Sequence, residues 1–82
     1  MKRSTPLDRN IGQKVKYYRT KNGLTQKDLA AKLQTRGCDI TETMVGHIET
    51  GYRSASVFEI DKLTEVLNVD YNALFAQDEA PQ

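Results

Sequence analysis

Polar and small residues recur at helical spacing in the stretch from residue 42 to residue 50, ETMVGHIET. Four of them follow an i, i+1, i+4, i+5 spacing and would share one face of a helix: Glu42, Thr43, Gly46 and His47. Val45 and Ile48 fall on the opposite face, where they would seat the helix on a core. A helix with these two faces meets the requirement for insertion into the major groove of DNA.

The chemistry predicted for the polar face is hydrogen bonding to base edges. Thr43 can bond a base or pack its methyl group on thymine, and His47 can donate to or accept from a purine. Gly46 lies in mid-helix, where glycine costs about 1 kcal/mol relative to alanine, and close approach to DNA would compensate for it. Met44 either contacts thymine methyl groups or packs at the core edge. Glu42 either accepts from cytosine N4 or only places negative charge at the helix N-terminus.

A second short helix is predicted just before this one, over about residues 26–36. Thr25 can cap its start, and Asp28 places negative charge in the first turn, where the helix dipole favours it. Its apolar residues have the spacing of a buried stripe: Leu29, Ala30 and Leu33. Gly37 would end this helix, and Thr41 would cap the next. The stretch therefore predicts two helices joined by a turn.

Three further helices are predicted around this pair. The first runs from about Asn10 to Lys21 or Asn22 and stops at Gly23. The capping box Ser56-Val57-Phe58-Glu59 opens another, and Asp70 caps a short final helix. Apolar residues at helical spacing complete the predicted core: Ile11, Val15, Tyr18, Ile40, Ile60, Leu63, Val66 and Leu67.

The predicted domain occupies residues 10–75, between two flexible ends. Residues 1–9 are predicted to form a basic arm, because Lys2 and Arg3 are charged and Pro6 should block an early helix. Such an arm either reaches DNA or is merely disordered. Residues 76–82 are polar and are predicted to be a frayed tail.

The order of these motifs resembles the lambda-repressor/Cro-type (XRE-like) helix-turn-helix DNA-binding family. The frame IGQKVKYYRTKNGLTQKDLAAKL, then VGHIETG, then LTEVLNVDYNALF carries the resemblance over nearly the whole predicted domain. It implies an all-α fold, a compact five-helix lambda-repressor-like bundle. The segment between Leu33 and Val45 is longer than in the compact family version, and Gln34 stands where the family has a glycine. An extended turn is therefore expected inside the helix-turn-helix.

The resemblance also implies contacts with DNA phosphates. In the family, a glutamine at the position of Gln26 bonds phosphate together with the free N–H groups of the helix N-terminus, beside Thr25. The loop that holds Tyr52 and Arg53 runs along the DNA backbone in the family. Arg36, in the turn, either contacts phosphate or is a solvated loop charge.

One ion pair is expected inside the domain. Arg19 lies at the edge of the apolar stripe of its helix, where an unpaired arginine is costly. The resemblance places Glu49 against an arginine at this position, as a structural fastener between the two helices. The alternative is a solvated Arg19, since stripe edges are often wet.

Charge is distributed unevenly along a chain whose net charge is only +1. Residues 1–40 carry ten Lys and Arg against three Asp, whereas residues 41–82 carry two against eight acidic residues. Such asymmetry suits one basic surface with an acidic opposite end. The alternative is a charge split with no partner.

Several classes of protein receive no support. Lone Cys38 fits a reducing cytoplasm and is expected to be a small, partly buried thiol rather than a redox switch. One Cys and one His give no zinc site of the usual ligand count, so neither a metal nor another cofactor is expected. No apolar run approaches the roughly 20 residues of a membrane span. His47 and Glu49 lie on different helix faces, so no catalytic pair forms and no enzyme is expected.

The predicted function is a cytoplasmic, sequence-specific DNA-binding transcription regulator of the repressor type. It would act on double-stranded DNA as a homodimer at a palindromic operator, because one such module contacts too few bases. Residues of the last two helices are the candidates for dimer contacts: Val57, Phe58, Tyr71 and Phe75. The alternative is a protein-interaction module, such as an antitoxin or anti-regulator, which the low net charge and Glu42 keep open.

Overall fold

Each helix of the protein begins after a residue whose side-chain oxygen accepts a hydrogen bond from a first-turn backbone N–H. The computed structural model describes residues 5–76, which hold five helices and no strand. The helices are α1 (Pro6–Lys21), α2 (Gln26–Gln34), α3 (Glu42–Thr50), α4 (Val57–Leu67) and α5 (Tyr71–Phe75). Their caps are Thr5, Thr25, Thr41, Ser56 and Asp70. The predicted all-α, five-helix fold is confirmed.

The predicted start of the first helix at Asn10 is wrong, because α1 already begins at Pro6. Proline is well tolerated at the first helical position, where its missing N–H would have no helical partner. Thr5 and Asp8 cap this end reciprocally, at 3.0 and 3.2 Å. Residues 6–9 are therefore helix rather than arm. Residues 1–4 of the predicted arm, which include Lys2 and Arg3, and the tail beyond Ala76 lie outside the described residues.

The core lies between the five helices: α1 packs on α3, α4 and α5, α2 packs on α3 and α4, and α4 also contacts α5. Thirteen apolar side chains are buried there: Ile11, Val15, Leu29, Ala30, Leu33, Cys38, Ile40, Val45, Ile48, Ile60, Leu63, Leu67 and Leu74. Tyr18 and Val66, also predicted as core, are half-buried at its edge. Most of the apolar stripes predicted from helical spacing thus face this one core.

The extended turn between α2 and α3 spans residues 35–41 and is folded onto the core. α2 ends at Gln34, two residues before the predicted end, and Gly37 supplies a left-handed φ of 81°. Cys38 and Ile40 are buried, and the Gln34 side-chain amide donates to the Ile40 carbonyl at 2.7 Å. Burial raises the pKa of the Cys38 thiol, which disfavours the reactive thiolate.

α1 and α3 approach each other closely at Gly12, a residue that the sequence analysis did not single out. Gly12 is buried, and a β-carbon placed on it would overlap the backbone carbonyl oxygens of Ile48 and Glu49. Only a residue without a side chain therefore fits at this crossing. The absence of a side chain lets α3 lie directly against α1.

No helix within residues 5–76 has both the length and the apolar character needed to cross a membrane.

Candidate nucleic-acid interface

α3 presents one polar face outward and one apolar face to the core, as its spacing predicts. Val45 and Ile48 are 1% and 2% exposed, whereas Glu42 and Thr43 are exposed. Gly46 and His47 are half-buried beside them. Four of the five predicted base-reading residues, all but Met44, therefore come together on one surface.

The ends of α3 are those predicted from the sequence. The Thr41 hydroxyl accepts from the Met44 backbone N–H at 3.2 Å, and Gly51 closes the helix with a φ of 80°. Met44 itself packs against the hydrophobic core, which favours the second of its two predicted roles. The surface that α3 offers to a partner therefore includes fewer residues than the five that were predicted to read bases.

A buried ion pair fastens α3 to α1 from behind. Arg19 Nε lies 2.5 Å from Glu49 Oε2, and Arg19 Nη2 donates to Glu49 Oε1 at 3.0 Å. The third interaction, from Arg19 Nη1 to the Leu24 carbonyl at 2.9 Å, also satisfies the guanidinium. The hydrogen bond with Glu49 raises the pKa of Arg19, although burial alone would lower it. The predicted structural pair is thus present, and its geometry sets the position of α3 on the core.

The N-terminus of α2 lies beside the outer face of α3. Gln26 donates from its side-chain nitrogen to Glu49 Oε1 at 3.0 Å. Its amide covers Gly46, since a β-carbon on Gly46 would lie 3.5 Å from both the nitrogen and the oxygen of that amide. Thr25 caps α2 by accepting from Asp28 N–H at 2.9 Å. The structure therefore brings both of these predicted phosphate contacts next to the base-reading candidates.

Tyr52 joins the same surface through His47. The two rings pack with centroids 4.8 Å apart and planes tilted by 58°. Tyr52 remains 61% exposed, so it extends the surface of α3 at its C-terminal end. This ring contact was not anticipated, because the two residues lie on either side of the helix end.

Arg53, a predicted phosphate contact, is held by an internal partner. Its two terminal nitrogens donate to the two Glu59 oxygens at 3.0 and 2.6 Å. Glu59 also accepts from the Ser56 backbone N–H at 2.9 Å, as part of the box that caps α4. Burial alone would raise the pKa of Glu59, but the hydrogen bonds from Arg53 and Ser56 outweigh it and lower that pKa. The pair ties the loop after α3 to α4, and no sequence spacing indicated it.

Arg36 is not brought to this surface. It follows the C-terminus of α2, about 15 Å along the helix axis from Gln26 at the other end. Its Nε lies 3.6 Å from Glu65 Oε1 in an exposed pair, beside α4. The placement favours the solvated loop charge over the phosphate contact.

Two further cations flank the surface. Lys27 is exposed next to Gln26 at the start of α2. Arg9 lies across the C-terminal end of α3, since a β-carbon on Gly51 would meet its side chain at 2.6 Å. Both side chains lie in segments of the basic first half of the chain, and they add positive charge around α3. Within residues 5–76, no group of three or more His, Cys, Asp or Glu side chains is placed to hold a metal ion.

The chain matches known proteins over most of its length. The sequence model of a family described as Helix-turn-helix matches residues 15–74. The restriction-modification controller protein C.AhdI from Aeromonas hydrophila is 31% identical, with a TM-score of 0.73, over 83% of this chain and 96% of that one. SinR, a master regulator for biofilm formation whose structure was solved in complex with DNA, is 28% identical, with a TM-score of 0.68, over 78% of this chain and 95% of that one.

A third solved structure shares the fold at lower identity. The clp gene regulator ClgR from C. glutamicum is 17% identical, with a TM-score of 0.77, over 95% of this chain and 99% of that one. The comparison with curated proteins gives no significant match.

Proposed function

Because the chain belongs to the Cro/C1-type helix-turn-helix family of DNA-binding transcription regulators, we propose that it recognises a specific operator by inserting α3 into the major groove. The observation that carries this proposal is the outward polar face of α3, backed by the buried pair of Arg19 and Glu49. A helix held so firmly from behind presents its side chains in one fixed orientation, which base reading requires. SinR, a structural relative, was solved with DNA bound.

Within this proposal, the residues divide into two groups by the chemistry they can perform. Thr43 and His47 read base edges at the centre of the face, while Glu42, Gly46 and Met44 define its margins. The backbone contacts come from the ends of neighbouring elements: Thr25 with the first N–H groups of α2, Tyr52 and Arg53. Arg53 would meet a phosphate with a guanidinium already bound to Glu59.

The proposal includes a homodimer of the repressor type on a palindromic site. One nine-residue helix reads only a few base pairs, so a second α3 about one DNA turn away is needed for discrimination. A second copy has an apolar surface to pack on, at a groove of about 390 Å³ between α1, α4 and α5. Four apolar side chains that line this groove are exposed: Leu7 by 44%, Val57 by 86%, Tyr71 by 50% and Phe75 by 41%. They include three of the four residues predicted as dimer contacts; the fourth, Phe58, is 51% exposed on α4 but does not line the groove.

A second candidate function uses the same groove. An apolar surface of this kind also fits another protein, as in an antitoxin or anti-regulator. Glu42, exposed on the outward face of α3, favours this alternative because a carboxylate is repelled by phosphates. Localisation in the cytoplasm follows from either function and is part of the proposal.

Selection from a random duplex library tests the operator proposal. The wild type should enrich a palindrome, and Thr43→Ala/His47→Ala should lose the preference. Operator affinity should fall at least about 30-fold, because two base contacts are lost and each costs about 1–3 kcal/mol. Thr20→Ala, on the exposed side of α1, is the matched control and should select the same palindrome. Binding measured at two salt concentrations separates base reading from phosphate attraction.

Three results would contradict parts of this picture. No enrichment by the wild type, with binding no better than to bulk DNA at low salt, would exclude the operator and favour a protein partner. An enriched site without two-fold symmetry would exclude the homodimer. An unchanged preference in a folded double variant would exclude α3 as the reader.

Substitution of Gly46 by alanine should change stability and DNA binding in opposite directions. A β-carbon at this position meets only the Gln26 amide, at ordinary contact distance, so the fold has room for alanine. We expect Gly46→Ala to raise the free energy of unfolding by about 0.5–1 kcal/mol, through helix propensity. Operator affinity should nevertheless fall, because the added methyl group occupies space on the surface that faces DNA.

Thermal unfolding and operator titration, run in parallel, check this prediction. Ala31→Gly in α2 provides the control, because this exposed position lies away from the α3 face. It should lower stability by a similar amount and leave affinity unchanged. Equal operator affinity of Gly46→Ala and wild type would show that close approach to DNA is not the reason for this glycine.

A further inference from the structure

The side chain of Gln26 lies on the surface of α3 rather than extending into solvent from the start of α2. Its amide is placed between Glu49, which accepts from its nitrogen at 3.0 Å, and Gly46, where a β-carbon would lie 3.5 Å from both the nitrogen and the oxygen of the amide. Gln26 is half-buried in this position.

Glu49 determines which end of the Gln26 amide faces the protein. An ionised carboxylate only accepts hydrogen bonds, and Arg19 already pairs with both oxygens of Glu49. The amide nitrogen must therefore point to Glu49, and the amide oxygen must point away from it. Of the two N–H groups on that nitrogen, one satisfies Glu49 and the other remains available, together with the oxygen.

The Gln26 amide therefore keeps one donor, its second N–H group, and one acceptor, its oxygen, in the same plane. In the major groove, adenine offers the complementary pattern, with N7 as acceptor and the N6 amino group as donor. A glutamine amide meets both atoms at once, which discriminates adenine from the other bases. Guanine, with two acceptors at N7 and O6, would leave the amide oxygen facing another acceptor.

We propose that Gln26 is a base-reading residue, recognising adenine in the operator half-site beside the bases that face Thr43 and His47. The inference rests on the proposed function, since it requires α3 in the major groove. Glu49 is the positioning residue that holds the amide, and Arg19 holds Glu49. The reading surface is thus built from α2 and α3 together.

The experiment compares Gln26→Met, which keeps the length of the side chain but removes the amide, with Lys27→Ala at the adjacent exposed cation. Both variants and the wild type are titrated against the selected operator and its single-base substitutions. We expect Gln26→Met to lose discrimination at one adenine of each half-site, where the wild type discriminates about 5- to 150-fold. Lys27→Ala should weaken binding to all sequences alike and reduce the salt slope by about 1, as a phosphate contact does.

Two further measurements, one with modified DNA and one on a protein variant, make the test specific for the Gln26 amide. Operator DNA carrying 7-deazaadenine at that position, which lacks the N7 acceptor, should bind the wild type more weakly and should leave Gln26→Met unaffected. In the free protein, Glu49→Gln should alter the NMR shifts of the Gln26 side-chain amide protons, since their fixed acceptor becomes an amide. Unchanged amide shifts in a folded Glu49→Gln variant would exclude Glu49 as the positioning residue.

The outcomes distinguish this inference from the function on which it rests. Uniform weakening by Gln26→Met across all base substitutions, with a lower salt slope, would assign Gln26 to phosphate and overturn the inference while leaving the operator intact. Equal sensitivity of the wild type and Gln26→Met to 7-deazaadenine would overturn it as well. If the wild type selects no operator, the proposed function itself would be excluded.

Discussion

Glu49→Ala is expected to lower the free energy of unfolding by about 3–5 kcal/mol, because it leaves the Arg19 guanidinium buried with only the Leu24 carbonyl as a partner. A domain of this size has about 4–12 kcal/mol in total, so the variant loses a large part of its stability. Urea unfolding followed by circular dichroism measures the loss. The pair joins α1 to α3, and the proposed reading surface should therefore lose its order at lower urea than in the wild type.

A double variant and a surface pair serve as controls for this result. Arg19→Met/Glu49→Leu removes both charges and should recover most of the loss, since the main cost lies in burying one charge without the other. Glu65→Gln breaks the exposed pairs with Arg36 and Lys62 and should cost less than about 1 kcal/mol for each pair. If Glu49→Ala lowered the free energy of unfolding no more than Glu65→Gln does, the buried pair would not be what holds α3 on α1.

Gly12→Ala is expected to destabilise the protein by about 1–3 kcal/mol or more, because the added β-carbon collides with backbone that cannot rotate away. The carbonyl oxygens of Ile48 and Glu49 belong to α3, so relief of the collision requires α1 and α3 to move apart. Such a shift would also disturb the geometry of Arg19 and Glu49. Thermal unfolding should show a lower midpoint, by roughly 4–8 °C for each kcal/mol.

Operator binding of Gly12→Ala should fall even at temperatures where the variant is fully folded. The displaced α3 would present Thr43 and His47 in a changed orientation. Gly46→Ala gives the contrasting result, with higher stability, since its β-carbon meets only a side-chain amide. A Gly12→Ala variant as stable as the wild type would mean that the crossing of α1 and α3 adjusts without cost.

The helices were largely predictable because their ends are local. A cap and the N–H that it satisfies lie within three residues of each other, and α3 begins and ends where the sequence indicated. The error at the start of α1 arose from treating Pro6 as a barrier, although Thr5 and Asp8 form a capping box around it. Apolar spacing likewise identified most of the core, since a helical stripe has only one side on which to be buried.

The site was predicted less completely than the fold. The polar face of α3 followed from spacing, and the pair of Arg19 and Glu49 followed from the family resemblance. The pairing of Arg53 with Glu59 was missed, because Glu59 already had a role in the cap of α4 and nothing in the spacing added a second. Arg36 was a predicted phosphate contact, with a solvated loop charge as the alternative, but the folded turn places it against α4.

By itself, the sequence determined five helices, the N-terminal caps of four of them, their apolar stripes, the polar face of α3 and an extended turn between α2 and α3. The tertiary structure alone decided which groups from separate helices meet. It placed the backbone of α3 against Gly12 and the amide of Gln26 between Glu49 and Gly46. The physical reason is range: caps and stripes depend on neighbours within one or two turns, whereas these contacts join residues far apart in the chain. Their distances exist only once the helices have packed.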